Sequence, residues 1–219
     1  MSRLKFIRVR EDCNMEFQDY LEKHLSPVSE QLEQLERVTW QKCINPRMCS
    51  GHYQGRLLSV VAKMIRPKHI IELGTFTGYS TLCLMEGLSE NGVMHTVDVN
   101  DELKWVHEQF LKDPRIITHY LSATEFLKGH DCSDADLVFI DADKSNYLHY
   151  WEVIEGELKS GAVVLLDNVL WNGKVLLPTE KGDIDTEVLK VLNQRIAHSP
   201  NWETLIIPIR DGITLARKR

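Results

Sequence analysis

Apolar residues recur along this chain in two rhythms, and the change from one to the other organises the reading. Over residues 14–25 they fall at helical spacing, at Met15, Phe17, Tyr20, Leu21 and Leu25. A second helix is expected to start near Ser26-Pro27, where proline suits a first turn, with Val28, Leu32, Leu35 and Val38 on one face. A third, over 51–65, ends before Pro67. From there short β-branched runs alternate with helical stretches. Strands are predicted at 69–73, 93–97, 115–119, 135–140 and 162–166, and helices near 79–88, 101–111, 122–127 and 146–158. Short strands joined by helical crossovers imply a parallel sheet covered on both faces. The last segment differs: runs at 203–209 and 213–217 flank Asp211-Gly212, a hairpin signal. The expectation is one α/β domain over 1–219, with a mostly parallel seven-stranded sheet, a C-terminal antiparallel hairpin and N-terminal accessory helices. Residues 1–50 would cover the site and form a dimer face, and 51–219 would form the core.

Composition narrows the classes. No apolar run approaches the roughly 18–20 residues of a membrane span, and MSRLKFIRVREDCNMEF lacks the apolar stretch of a secretory signal. The five cysteines (Cys13, Cys43, Cys49, Cys83, Cys132) form no C-x-x-C pair, so reduced thiols in a cytoplasmic protein are expected. A net charge of −6 argues against a nucleic-acid groove as the dominant surface.

Two strands run directly into oxygen donors. Val138-Phe-Ile-Asp141-Ala-Asp-Lys144 and Val164-Leu-Leu-Asp167-Asn168 place two carboxylates and an amide at strand ends, where parallel sheets keep their ligands. Such hard oxygens suit Mg²⁺ or a similar divalent ion, without help from His52 or His149. Lys144 lies three residues past the first carboxylate. A metal-activated hydroxyl beside a base would make the protein an enzyme rather than a binding module.

The first strand leads into Ile71-Glu-Leu-Gly-Thr-Phe-Thr-Gly-Tyr-Ser80, where Gly74 and Gly78 permit close backbone approach, and Asp98 closes the next strand. A carboxylate at Asp98 suits ribose hydroxyls. Glu72 would repel a pyrophosphate and instead suit a cationic ligand such as the methionine part of S-adenosylmethionine. That points to methyl transfer.

With Glu72–Ser80, Asp141-Ala-Asp-Lys-Ser-Asn-Tyr147 and Asp167-Asn-Val-Leu-Trp-Asn-Gly173 in view, the chain from about Met48 to Leu215 resembles the cation-dependent O-methyltransferases of the caffeoyl-CoA and catechol type. The resemblance implies a Rossmann-like fold with S-adenosylmethionine as cofactor, and Asp141, Asp167 and Asn168 holding Mg²⁺ (or Mn²⁺ or Ca²⁺). It implies that Ser50, Glu72, Gly74, Thr75, Ser80 and Asp98 contact the cofactor, Ala123 lies against its adenine and Asp143 closes the pocket. Lys144 would be the base, and Met48 and Asn172 would meet the substrate. Trp171, directly after the metal pair, is a further substrate wall.

Three departures matter. Gln54 replaces the glutamate of the plant form, and Ser145 an aspartate. Within 178–192, Asp183, Asp185 and Glu187 stand where the plant enzymes carry a basic segment that helps hold coenzyme A. An acidic surface suits a polyphosphate tail poorly, so a small vicinal diphenol such as a catechol is the expected acceptor. A tRNA hydroxyuridine methyltransferase is the alternative, favoured by Lys42, Arg47, Arg56 and Lys174 near the expected mouth. A non-catalytic protein of the same fold is a third reading. The expected partners are a small phenol and a second copy in a homodimer, with no membrane and no nucleic acid.

Overall fold

In the computed structural model the backbone is described for residues 14–219 and the side chains from residue 19; Cys13, Met15 and Phe17 therefore lie outside the described side chains. The N-terminal part comprises α1 (Asn14–Lys23), α2 (Glu30–Lys42) and α3 (Gly51–Ile65). The second helix begins later than its proline suggested. Ser29 caps it, accepting a hydrogen bond from the Leu32 amide at 3.3 Å, and Glu30 and Glu33 complement the first turn. Pro27 instead keeps the chain extended before the cap.

Strands β1 (His69–Leu73), β2 (Val93–Asp98), β3 (Ile116–Tyr120), β4 (Leu137–Ile140), β5 (Val163–Asp167), β6 (Trp202–Ile207) and β7 (Ile213–Lys218) form one sheet in the order β3-β2-β1-β4-β5-β7-β6. The first five are parallel, and β7 is antiparallel to both of its neighbours. All residues of β4 and β5 are buried, as strands covered on both faces require. The hairpin is present, but its second strand is the one that docks. Strand β7 carries buried Ile213, Thr214 and Ala216 against β5, leaving the exposed β6 at the edge.

The crossover helices are α4 (Tyr79–Met85), α5 (Lys104–Phe110), α6 (Ala123–Gly129) and α7 (Tyr147–Glu157), followed by α8 (Ile184–His198). One sheet face packs Ile71, Val138 and Ile140 against Phe126, Trp151 and Leu189 of α6, α7 and α8. The other packs Ile70, Met94 and Phe139 against Leu35, Leu58 and Leu84 of α2, α3 and α4. Helix α8 was not among the expected elements, because residues 178–192 drew attention for their charge. Its buried Leu189, Leu192 and Ile196 recur at helical spacing. The sheet order reverses between β1 and β4, and the crevice outside the strand ends there is where this architecture binds ligands. Among the described residues, no helix is long and apolar enough to cross a membrane.

Candidate active site

A cavity of about 1050 Å³ opens at that crevice. Its wall includes Met48, Ser50, Gly74, Thr75, Ser80, Asp98, Ala123, Asp141, Asp143, Lys144, Asp167, Asn168, Trp171 and Asn172, so every expected site residue except Glu72 shares one space.

The acidic end is built by β4 and β5. Asp167 is almost fully buried; one carboxylate oxygen accepts from Gln54 Nε2 at 2.6 Å and the other from the Asn168 amide at 2.7 Å. Burial, and then the charge of Asp141, push the Asp167 carboxyl well above the ordinary carboxylate range. A cation between the two carboxylates would relieve both effects, so this donor set fits a hard divalent ion. Asn168 sits in the left-handed region at φ 60°, a conformation asparagine tolerates better than most residues.

Lys144 is buried beside them. Its Nζ donates to Asp141 Oδ1 at 2.9 Å, to the Ala142 carbonyl at 3.1 Å and to the Tyr147 hydroxyl at 2.6 Å. The Tyr147 hydroxyl in turn lies 3.0 Å from the Ile140 carbonyl and 3.2 Å from that of Asp167. Tyr147 therefore ties the lysine to the ends of both β4 and β5. Burial, with Asp141 and Asp167 nearby, drives its phenol far above the usual range, so it stays protonated.

The opposite wall is built by β1 and β2. Gly74 has φ 103°, and a Cβ there would lie 1.9 Å from the Asp141 carbonyl oxygen. Only glycine lets the two strand ends approach so closely. Asp98 receives the Phe76 amide at 2.7 Å and the Asn100 amide at 2.9 Å while facing the cavity. Ser122 caps α6 in a reciprocal capping box with Glu125, which sets Ala123 in the wall. Asp143 accepts hydrogen bonds from the Tyr150 hydroxyl and the Asn146 amide.

Glu72 sits apart from the other expected residues. It is fully buried behind the wall, where its oxygens accept from Ser80 at 2.6 Å, from Thr96 at 2.6 Å and from Thr81. Three hydroxyls thus surround the carboxylate, and Glu72 is not part of the cavity lining. It holds the hydroxyl of Ser80, which does line the cavity. Burial outweighs those hydrogen bonds and lifts its carboxyl to about 7.

The rim comes from two loops. Trp171, Asn172 and Gly173 all have positive φ, and the Asn172 amide donates to Asp211 Oδ1. Arg210 reaches across from the β6–β7 turn to the carbonyls of Arg47 (3.2 Å), Cys49 (2.9 Å) and Ser50, clamping the segment that carries Met48. Gln54, Tyr147 and Arg210 were not assigned site roles from the sequence. Gln54 stands out in the sequence only as a departure from the plant form, Tyr147 closes the Asp141–Tyr147 motif, and Arg210 precedes the hairpin pair Asp211-Gly212; none of these signals says what the side chain touches.

The family model for O-methyltransferases matches residues 22–219. The chain belongs to the O-methyltransferase family. The expected activity class, an S-adenosylmethionine-dependent O-methyltransferase, therefore stands. Among its relatives, caffeoyl-CoA O-methyltransferase 1 of Zea mays is 32% identical over 207 residues, covering 86% of this chain and 78% of that protein. The caffeoyl-CoA O-methyltransferase of Zinnia elegans is 29% identical over 218 residues, covering 92% and 88%. Among solved structures, an SAH-bound methyltransferase of Podospora anserina superposes with a TM-score of 0.85 at 22% identity, covering 100% of this chain and 99% of that one. An O-methyltransferase of Bacillus cereus in complex with SAH gives 0.84 at 24% identity, covering 93% and 97%. These likenesses agree with the Rossmann-like architecture read from the strand pattern.

Proposed function

We propose that this O-methyltransferase moves a methyl group from S-adenosylmethionine to one hydroxyl of a small vicinal diphenol, with a divalent cation held by Asp141, Asp167 and Asn168. The observation that carries the reading is the convergence of those three oxygen donors with Lys144 at one end of a cavity whose other end holds Asp98 and Ala123. The carbon–sulfur bond of the sulfonium breaks as the new carbon–oxygen bond forms, and the acceptor hydroxyl loses its proton. When bound, the cation lowers the pKa of the hydroxyl it chelates.

In its neutral form Lys144 would take that proton, its Nζ giving up one of the three hydrogen bonds it donates as an ammonium. One of its three acceptors, Asp141, is also a candidate metal ligand, so lysine and cation draw on the same carboxylate. Tyr147 keeps the amine from swinging away. Asp98 offers its carboxylate to the ribose, and Gly74 and Ser80 shape the floor beneath the methionine part. Holding donor carbon and acceptor oxygen in line supplies much of the remaining rate.

The preference for a small acceptor rests on Asp185 and Asp211 in the cavity wall. They oppose a polyphosphate, although the plant relatives are named for a coenzyme A ester. The case for tRNA weakens on position. Arg56 pairs with Glu86, Lys174 with Asp183 at 2.9 Å, and Lys42 lies over Trp105, leaving only Arg47 of that basic set at the cavity. Labelled S-adenosylmethionine offered with a catechol panel, caffeoyl-CoA and hydroxyuridine-containing tRNA tests the choice. Preferential labelling of either of the last two contradicts it. We also propose a homodimer, supported by exposed Trp40 and Ile44 at the end of α2 and Val60 and Met64 on α3.

A further inference from the structure

Away from the active site, four histidines meet on the α6 face of the sheet. His69 opens β1, His95 lies in β2, His119 in β3, and His130 follows α6. The parallel register pairs His69 with Val93 and His95 with Ile117, so each strand to the next carries its histidine two residues further on. Two residues is the repeat of one sheet face, and the three side chains step diagonally along it. His130 joins from the helix side, its ring 4.4 Å from that of His95 and stacked on Phe126. None of the four lines the main cavity.

His69, His95 and His130 can each present one ring nitrogen within 4.8 Å of the other two; among the described residues this is the only such group of three His, Cys, Asp or Glu. A second observation points the same way. Nε2 of His69 and Nε2 of His130 are both shut off from solvent, and neither has a hydrogen-bond partner. His95 Nδ1 lies 2.9 Å from His119 Nε2. In the tautomer where His95 donates that bond, its own Nε2 is left with a free lone pair. A hydrogen bond that fixes a ligand tautomer in this way is the usual outer support of a histidine metal site.

We infer that His69, His95 and His130 form a second metal site, for a borderline transition ion of the Zn²⁺ class, with His119 orienting His95. Imidazole nitrogens select such ions over Mg²⁺, whereas the oxygen donors at Asp141 and Asp167 select the reverse, so the two sites discriminate by chemistry. Burial, and for His69 and His95 the neighbouring imidazoles, hold these rings below the usual histidine range, keeping them neutral as ligands must be. Asp131 adjoins His130 and adds a favourable charge, whereas Asp136, which receives the His69 amide at 3.1 Å, is already paired with Lys159 at 2.7 Å. The nitrogens lie within 4.8 Å of one another, and tetrahedral zinc–nitrogen bonds of about 2.0–2.1 Å bring such atoms to roughly 3.3–3.4 Å, so the rings must turn inward by on the order of 1 Å to close on an ion. An ion there would fasten β1 and β2 to the connection between α6 and β4, at the side of the sheet remote from methyl transfer.

The test is Co²⁺ titration of the whole protein in saturating Mg²⁺, which occupies the oxygen site. One equivalent should bind with the intense visible d–d absorption of a low-coordinate cobalt ion, and Zn²⁺ should displace it. His130→Gln and His69→Asn should each weaken Co²⁺ binding at least tenfold while leaving turnover with a diphenol intact. Absence of the band in the wild type, or an unchanged titration in both variants, would overturn the site. Zinc-edge X-ray absorption of the wild-type protein loaded with one equivalent needs no variant to fold. A shell dominated by imidazole nitrogen is expected, and an oxygen-dominated shell refutes the assignment.

Discussion

At Asp167 a carboxylate must be buried deeply enough to be held rigid and yet be ready to carry charge beside Asp141. Gln54 meets the first demand by donating to Oδ2 from across the fold, 113 residues away in sequence. An outer-sphere amide of this kind typically sets metal affinity by 10–100-fold. Gln54→Leu is therefore expected to weaken Mg²⁺ or Mn²⁺ binding by about that factor in a calorimetric titration, and an unchanged affinity would mean the amide is only packing. For Lys144 the expectation concerns rate. Lys144→Ala should lower kcat by about 10²–10⁴-fold with little change in KM, and alkaline pH should restore part of the loss by deprotonating the acceptor without help. A defect that does not vary with pH would assign the lysine to positioning.

At the scale of elements, most of the frame was legible because β4 and β5 are continuous apolar runs ending in polar donors, and the turn residues mark where strands stop. What was not legible depended on distance in the chain. The docking of β7 rather than β6 on β5 follows from which hairpin strand buries its side chains, and both strands alternate similarly in sequence. The surroundings of Glu72 were hidden for the same reason: its three hydroxyl partners come from α4 and β2, and only folding brings them around it. Two element-level tests follow from this packing. Gly74→Ala must separate β1 from β4 or strain the turn, and should cost at least about 2 kcal/mol in urea unfolding. Glu72 titrates near 7 when folded against an ordinary value of 4.5, so the folded state binds the extra proton between those values. Stability should therefore fall as pH rises through that window, at no more than about 1.4 kcal/mol per pH unit from this group. Thermal melts of Glu72→Gln should show a shallower decline over the same range; parallel curves would remove Glu72 as the source.

For the whole molecule, the sheet order places the acidic donors of β4 and β5 and the wall built by β1 and β2 on opposite sides of one switch point, so both border a single cavity. The exposed apolar side chains on α2 and α3 predict twice the chain mass by light scattering, and a monomer at micromolar concentration would argue against the dimer. The central claim, cation-dependent methylation of a small diphenol, is tested most directly by one turnover assay. Purified protein, labelled S-adenosylmethionine and catechol are incubated in excess EDTA and again after Mg²⁺ is restored. The account predicts labelled methyl ether only when the cation is present, and none from Asp167→Ala in either condition. Full turnover in EDTA would contradict it.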